Sequence, residues 1–125
     1  MKAISTKNAP AAVGPYSQAL DLGEFVFVSG QIPLDPQTGT IVEGGIEAQA
    51  RQVFGNIKAI LNAAGLDMKN VVKTTVFTTD LSQFGTINTI YGEYFAEQPY
   101  PARSCVEVSA LPKGALVKCE AIAKR

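Results

Sequence analysis

The hydrophobic period of this chain changes abruptly between residues 65 and 70, and that change limits the folds open to it. From Ile46 the apolar positions fall at 46, 50, 53, 57, 60, 61 and 64. Such spacing places one continuous stripe along an α-helix, and Gly65 follows as a C-cap residue. A short link later comes "NVVKTTVFTTDL" (70–81), a β-branched run whose stiff side chains suit a pleated strand. A helix with one apolar stripe and a strand directly after it must bury both against a common core. The expected result is a layered arrangement of helices on a sheet.

The remaining segments extend this pattern. "EFVFVSGQIPL" (24–34) is rich in Val and Phe, stops at Gly30 and Pro33, and reads as a strand; "DPQTGT" (35–40) is a turn. Asp80 with Gln83 resembles a capping box ahead of a second helical stripe, Phe84, Ile87, Tyr91 and Tyr94. "ARSCVEVSAL" and "GALVKCEAIA" (114–123) are two closing strands joined by "PKG". The order is β, α, β, α, β, β, with a further strand near "AISTKN". At 125 residues the chain is a single domain, 1–125, with one core. Two helices cover one sheet face in a two-layer sandwich. The other face carries either Phe25, Phe27 and Phe77 or Val26, Val28 and Val76, depending on parity. Either choice leaves an apolar patch, the usual mark of an interface, so a homo-oligomer with its sheets packed inward is expected.

Composition narrows the function. Eleven basic residues balance 11 acidic ones, which argues against a nucleic-acid partner, because phosphate binding needs a basic surplus on one face. No run approaches the roughly 18 apolar residues of a membrane span. "MKAISTKNAP" has no apolar signal core, and two cysteines, Cys105 and Cys119, make no secreted disulfide framework. A cytoplasmic location is the expectation. There is no histidine, so the commonest metal ligand and general base is missing, and no metal site is expected. Phosphate-loop, dinucleotide and nucleophile-elbow motifs are also lacking.

"YPARSCVEV" (100–108) is where chemistry concentrates. Alternation puts Arg103, Cys105 and Glu107 on one face and Ser104, Val106 and Val108 on the other. Arg103 offers a rigid fork of donors that fits a carboxylate; the plainer reading is an exposed strand arginine, or one paired with Glu107 or Glu120. Cys105 is a small half-hydrophobic thiol with no histidine to activate it. Paired as an antiparallel hairpin, the last two strands would bring Glu120 near Arg103, either to orient a water or to form a salt bridge. Tyr16 follows a Gly-Pro turn and either walls a pocket or merely packs. Ser29 and Gly30 end a strand where a ligand can approach the backbone. Asn88 lies at the edge of the second helical stripe.

"APAAVGPYSQA", "VSGQIPLDPQTG", "QARQVFGNIKAIL", "PARSCVEV", "LPKGA" and "EAIA", in this order over about residues 8 to 123, resemble the Rid family of YjgF-like reactive intermediate/imine deaminases. The resemblance implies a chorismate-mutase-like α+β fold with a mixed sheet and two helices on one face. It further implies a homotrimer whose sheets line a central barrel, with clefts between subunits. The implied activity is hydrolysis of 2-imino acids and their enamines, such as 2-aminoacrylate, released by pyridoxal-phosphate enzymes. Ammonia and a 2-keto acid would be the products, with no cofactor on the protein itself. Carried over by motif, Arg103 clamps the substrate carboxylate and Ser104, Cys105, Val106 and Glu107 wall the site. Tyr16, Ser29, Gly30 and Asn88 complete the cleft, some from a neighbouring subunit.

Relatives commonly read E-x-E-A-I-A near the end, the first glutamate activating water. Here "KCEAIA" places Lys118 at that position and Glu120 at the second, so Glu120 becomes the expected water-activating carboxylate. Lys118 is expected to pair with Glu120 or Glu107 at the rim, the alternative being added positive charge near Arg103. Two other functions share these residues or this resemblance: a non-catalytic small-carboxylate binder or holdase, and a ribonuclease or translation inhibitor.

Overall fold

The computed structural model describes residues 1–125. Six strands, β1 (Lys2–Ile4), β2 (Ala19–Asp21), β3 (Phe25–Gln31), β4 (Val71–Thr78), β5 (Ala102–Glu107) and β6 (Val117–Lys124), form one sheet in the order β1-β2-β3-β6-β4-β5. All neighbours are antiparallel except β4 and β5, which run parallel. The sheet is therefore mixed. Helix α1 (Gly45–Ala63) packs over β3 and β6. Helix α2 (Phe84–Tyr94) lies against α1 and reaches β4 through a 2.8 Å hydrogen bond between the Tyr91 and Thr74 hydroxyls. No helix is long and apolar enough to cross a membrane.

The stripe of α1 behaves as its spacing requires. Ala50, Val53, Phe54, Ile57, Ile60 and Leu61 are buried, and they meet small residues of β6, Cys119, Ala121 and Ala123, in one core. The helix ends in a Schellman motif. Gly65, at φ 76, donates to the Asn62 carbonyl, and Leu66 donates to that of Leu61. Phe54 meets the Tyr91 ring edge-on at 5.5 Å, which locks the two helices together. On β3 and β4 the parity left open by alternation is settled: Val26, Val28 and Val76 face the helices. Phe25 and Phe27 stand on the uncovered face, Phe27 with 45% of its surface exposed.

Three expectations are corrected. β2 has no counterpart in the sequence reading, because a three-residue strand is too short to show a period. The stop at Asp80 is not a full capping box: its carboxylate accepts from the Ser82 N–H, heading a 3-10 turn, Leu81–Gln83, that leads into α2. The third concerns the site. β5 and β6 do not form a hairpin; β4 lies between them. The connection through Pro112–Gly114 crosses over β4, so β5 takes the sheet edge.

Candidate functional site

Register fixes which side chains can meet. Thr74 of β4 pairs with Arg103 on one side and Ala121 on the other, and the next residue, Thr75, pairs with Ser104 and Glu120. Successive strand residues point to opposite faces. Arg103, Cys105 and Glu107 thus lie on the helix side with buried Ala121, Cys119 and Val117. Ser104, Val106, Lys118 and Glu120 lie on the uncovered side. Within one chain Arg103 and Glu120 do not share a site, which overturns the hairpin expectation for this pair.

On the helix side, the β5 edge holds Arg103 against α2. Its Nη1 donates to Asn88 Oδ1 at 2.7 Å. The guanidinium carbon sits 4.7 Å from the Tyr91 ring centroid and 5.2 Å from that of Phe84, within cation–π range. The chain's four ion pairs are Arg51 with Glu47, Arg51 with Glu93, Lys124 with Glu24 and Arg125 with Asp21. None involves Arg103, so the reading of it as a salt-bridged strand residue fails. Glu107 is engaged elsewhere, its Oε1 accepting from the Leu81 N–H at 2.9 Å. Cys105, half-buried, has its thiol pushed above the usual value by burial, and the nearby Arg103 charge offsets only part of this. Asn88 is placed as the sequence suggested; the two aromatic rings were legible only as core stripe.

On the uncovered side, Tyr16, Ser29 and Gly30 do come together. The turn at Gly14, with φ 116, lets the Tyr16 N–H reach the Gly14 carbonyl at 2.9 Å, and the phenol oxygen accepts from the Val13 N–H at 3.3 Å. Ser29 Oγ donates to the Ser17 carbonyl at 2.6 Å, fastening this segment to β3. Tyr16 and Ser29 border two adjoining hollows. One, of about 740 Å³, also contains Gly30, Lys113 and Lys118. The other, of about 620 Å³, contains Phe27, Ile122 and Glu120. Glu120 is the only carboxylate on either lining. Gly30 is indeed a point of close approach, but the group that approaches is Lys118: a Cβ on Gly30 would stand 2.3 Å from the Lys118 Cε. Lys118 makes no ion pair with Glu120 or Glu107, contrary to expectation. Its stem runs along Gly30, and Glu107 lies across the sheet from it.

Three buried amides that sequence reasoning passed over hold the walls. Gln18 Nε2 donates to the carbonyls of Thr6, Ala9 and Pro10 while its Oε1 accepts from the Thr6 N–H. Asn56 Nδ2 donates to the carbonyls of Ile32 and Leu34, and Gln49 Oε1 accepts from the Leu116 N–H. Their signal was present: Gln49 and Asn56 interrupt an otherwise apolar helix face.

Fold and site together define a two-layer α+β domain with an arginine-bearing sheet edge and an open polar hollow on its uncovered face. The chain belongs to the Endoribonuclease L-PSP family, the YjgF/Rid family, whose model matches residues 6–125. It is 55% identical over 126 residues to a 2-iminobutanoate/2-iminopropanoate deaminase of Salmonella typhimurium, covering 99% of this chain and 98% of that protein. Among solved structures it is similar to Escherichia coli TdcF with bound serine, with a TM-score of 0.95 and 51% identity, covering 100% of this chain and 99% of the other. RidA from an Antarctic Psychrobacter species gives a TM-score of 0.95 at 49% identity, with full coverage of both chains.

Proposed function

We propose that this protein is an imine deaminase that hydrolyses 2-imino acids, 2-iminobutanoate and 2-iminopropanoate among them, and their enamine tautomers such as 2-aminoacrylate. The single observation that carries this reading is Arg103. Its guanidinium is steadied by Asn88 and two aromatic faces and has no carboxylate partner in its own chain. A fork held in this way is ready for a substrate carboxylate. Similarity along nearly the whole chain to a relative named for this reaction supports it.

Arg103 and the Tyr16–Ser29 hollow lie on opposite faces, so a complete cleft requires two chains. We assign it to the boundary between copies in a homotrimer, the uncovered faces turned inward as a central barrel. The β5 edge of one copy then lies beside the hollow of the next. Phe25, Phe27 and Val106, exposed in a single chain, are the apolar area such packing would bury.

In that cleft Arg103 fixes the carboxylate and sets the imine carbon within reach of a water, and fixed geometry supplies much of the acceleration. Glu120, the one carboxylate bordering the hollows, is the group we assign to hold that water. The water adds to the C=N carbon, the nitrogen is protonated, and the carbinolamine expels ammonia to leave the 2-keto acid. Proton transfer of this kind contributes about 10²–10⁴-fold.

The test couples the purified protein to a threonine dehydratase and follows conversion of 2-iminobutanoate to 2-oxobutanoate. Acceleration over free solution is expected, and Arg103→Ala should lower kcat/KM by about 10–100-fold, the worth of a charge-assisted pair, with an unchanged circular dichroism spectrum. Near-normal turnover by that folded variant would contradict the assignment.

A further inference from the structure

The larger hollow is electrostatically one-sided. Two lysines, Lys113 and Lys118, and no aspartate or glutamate contribute to its lining. Neither ammonium is in an ion pair. Their placement is built into the backbone. Lys118 lies half-buried along Gly30, in a space that exists only because residue 30 has no side chain. Lys113 occupies the left-handed region at φ 58, the only non-glycine residue to do so, a conformation that costs energy and persists only where its surroundings enforce it. The walls are rigid for the same reason: Gln18, Asn56 and Gln49 use their buried amides to tie down the segments at 6–10, 32–34 and 116. Such a cavity favours an anion, and at about 740 Å³ it has room for more than a two- or three-carbon acid.

We infer that this hollow selects 2-imino acids that carry a second carboxylate, the distal carboxylate being taken by Lys118 with Lys113 behind it. The inference rests on the deaminase reading, in which Arg103 of an adjoining copy holds the carboxylate next to the imine. Lys118 is then a specificity-determining residue. A compact ammonium on a flexible stem suits a carboxylate whose distance from the imine varies by a methylene. Preference over a neutral side chain follows from the same contact, because an apolar group there leaves the ammonium without that partner, so 2-iminobutanoate is turned over with the lower kcat/KM.

The experiment compares kcat/KM for 2-iminosuccinate and 2-iminoglutarate, made in place by amino-acid oxidases, with that for 2-iminobutanoate. The ratio of dicarboxylic to monocarboxylic substrate should fall about tenfold in Lys118→Met and recover in Lys118→Arg; tenfold corresponds to about 1.4 kcal/mol. A calorimetric titration with the stable ketones is run in parallel. 2-Oxoglutarate should bind more tightly than 2-oxobutanoate, and Lys118→Met should remove the difference. An unchanged ratio, or equal binding of the two ketones, overturns the inference while leaving the deaminase reading intact. If no imine is turned over, the deaminase reading fails, and the titration alone decides whether the hollow prefers a dianion.

Discussion

Arg103 shows how a cation can be held in place without a counter-charge. One guanidinium N–H is spent on Asn88 and the plane is spread over Phe84 and Tyr91, which leaves its remaining donors for an incoming acid. The same edge makes Cys105 quiet. Burial disfavours its thiolate, and the opposing pull of Arg103 is the smaller influence. A thiol whose pKa lies above the ordinary value, near 9, is neutral at pH 7 and reacts through a small thiolate fraction. Alkylation of Cys105 by iodoacetamide, followed by peptide mass spectrometry, should therefore be slower at pH 7 than that of a small free thiol. It should climb with pH and keep climbing past 9, where an ordinary thiol levels off, and fast modification at pH 7 would contradict this. What was legible at this scale was residue type: arginine, asparagine and tyrosine in the right segments. What was not was partnership. Lys118 was expected on Glu120, two residues along the same strand face, or on Glu107. The actual register sends Glu107 to the helix side and lets the bare backbone of Gly30 receive the lysine stem.

Among the elements, α1 was readable almost to its last residue because seven apolar positions and a terminal glycine agree on one helix. Its Schellman ending and buried stripe follow directly. The topology was less readable. No local pattern says that β4 will lie between β5 and β6, since a parallel β4–β5 pair depends on α2 crossing over the sheet. The polar interruptions of α1 carry the most consequence for function. Asn56 is buried within the helix and donates to two loop carbonyls, at 3.3 and 3.0 Å. Asn56→Ala leaves the Leu34 carbonyl unpaired, while that of Ile32 keeps the Leu34 N–H, and one lost buried acceptor costs about 1–3 kcal/mol. Urea unfolding should show a loss of that size, and hydrogen exchange should quicken across residues 32–39, the rim of the larger hollow. Unchanged stability and unchanged exchange would mean the amide does not hold that wall.

For the whole molecule, the sheet is the divider. Helices cover one face, while the other exposes phenylalanines beside Lys118 and Glu120. An arginine on one side and a hollow on the other make little sense for an isolated chain, and they fit a ring in which each copy completes its neighbour. The most direct measurement is complementation between two damaged proteins. Arg103→Ala removes the clamp. Gly30→Val obstructs the hollow, because a side chain there takes the place of the Lys118 stem, which a Cβ alone meets at 2.3 Å, and turns that stem into the open space. Each variant alone should be nearly inactive on 2-iminobutanoate and should sediment as a trimer. When the two are unfolded together and refolded in equal amounts, about one cleft in four should draw an intact Arg103 from one chain and an intact Gly30 from the next, given random assembly of identical interfaces. Recovery to about a quarter of the native rate is the expected result. A refolded mixture no more active than its two components, in assemblies shown to be mixed, would contradict a site shared between chains.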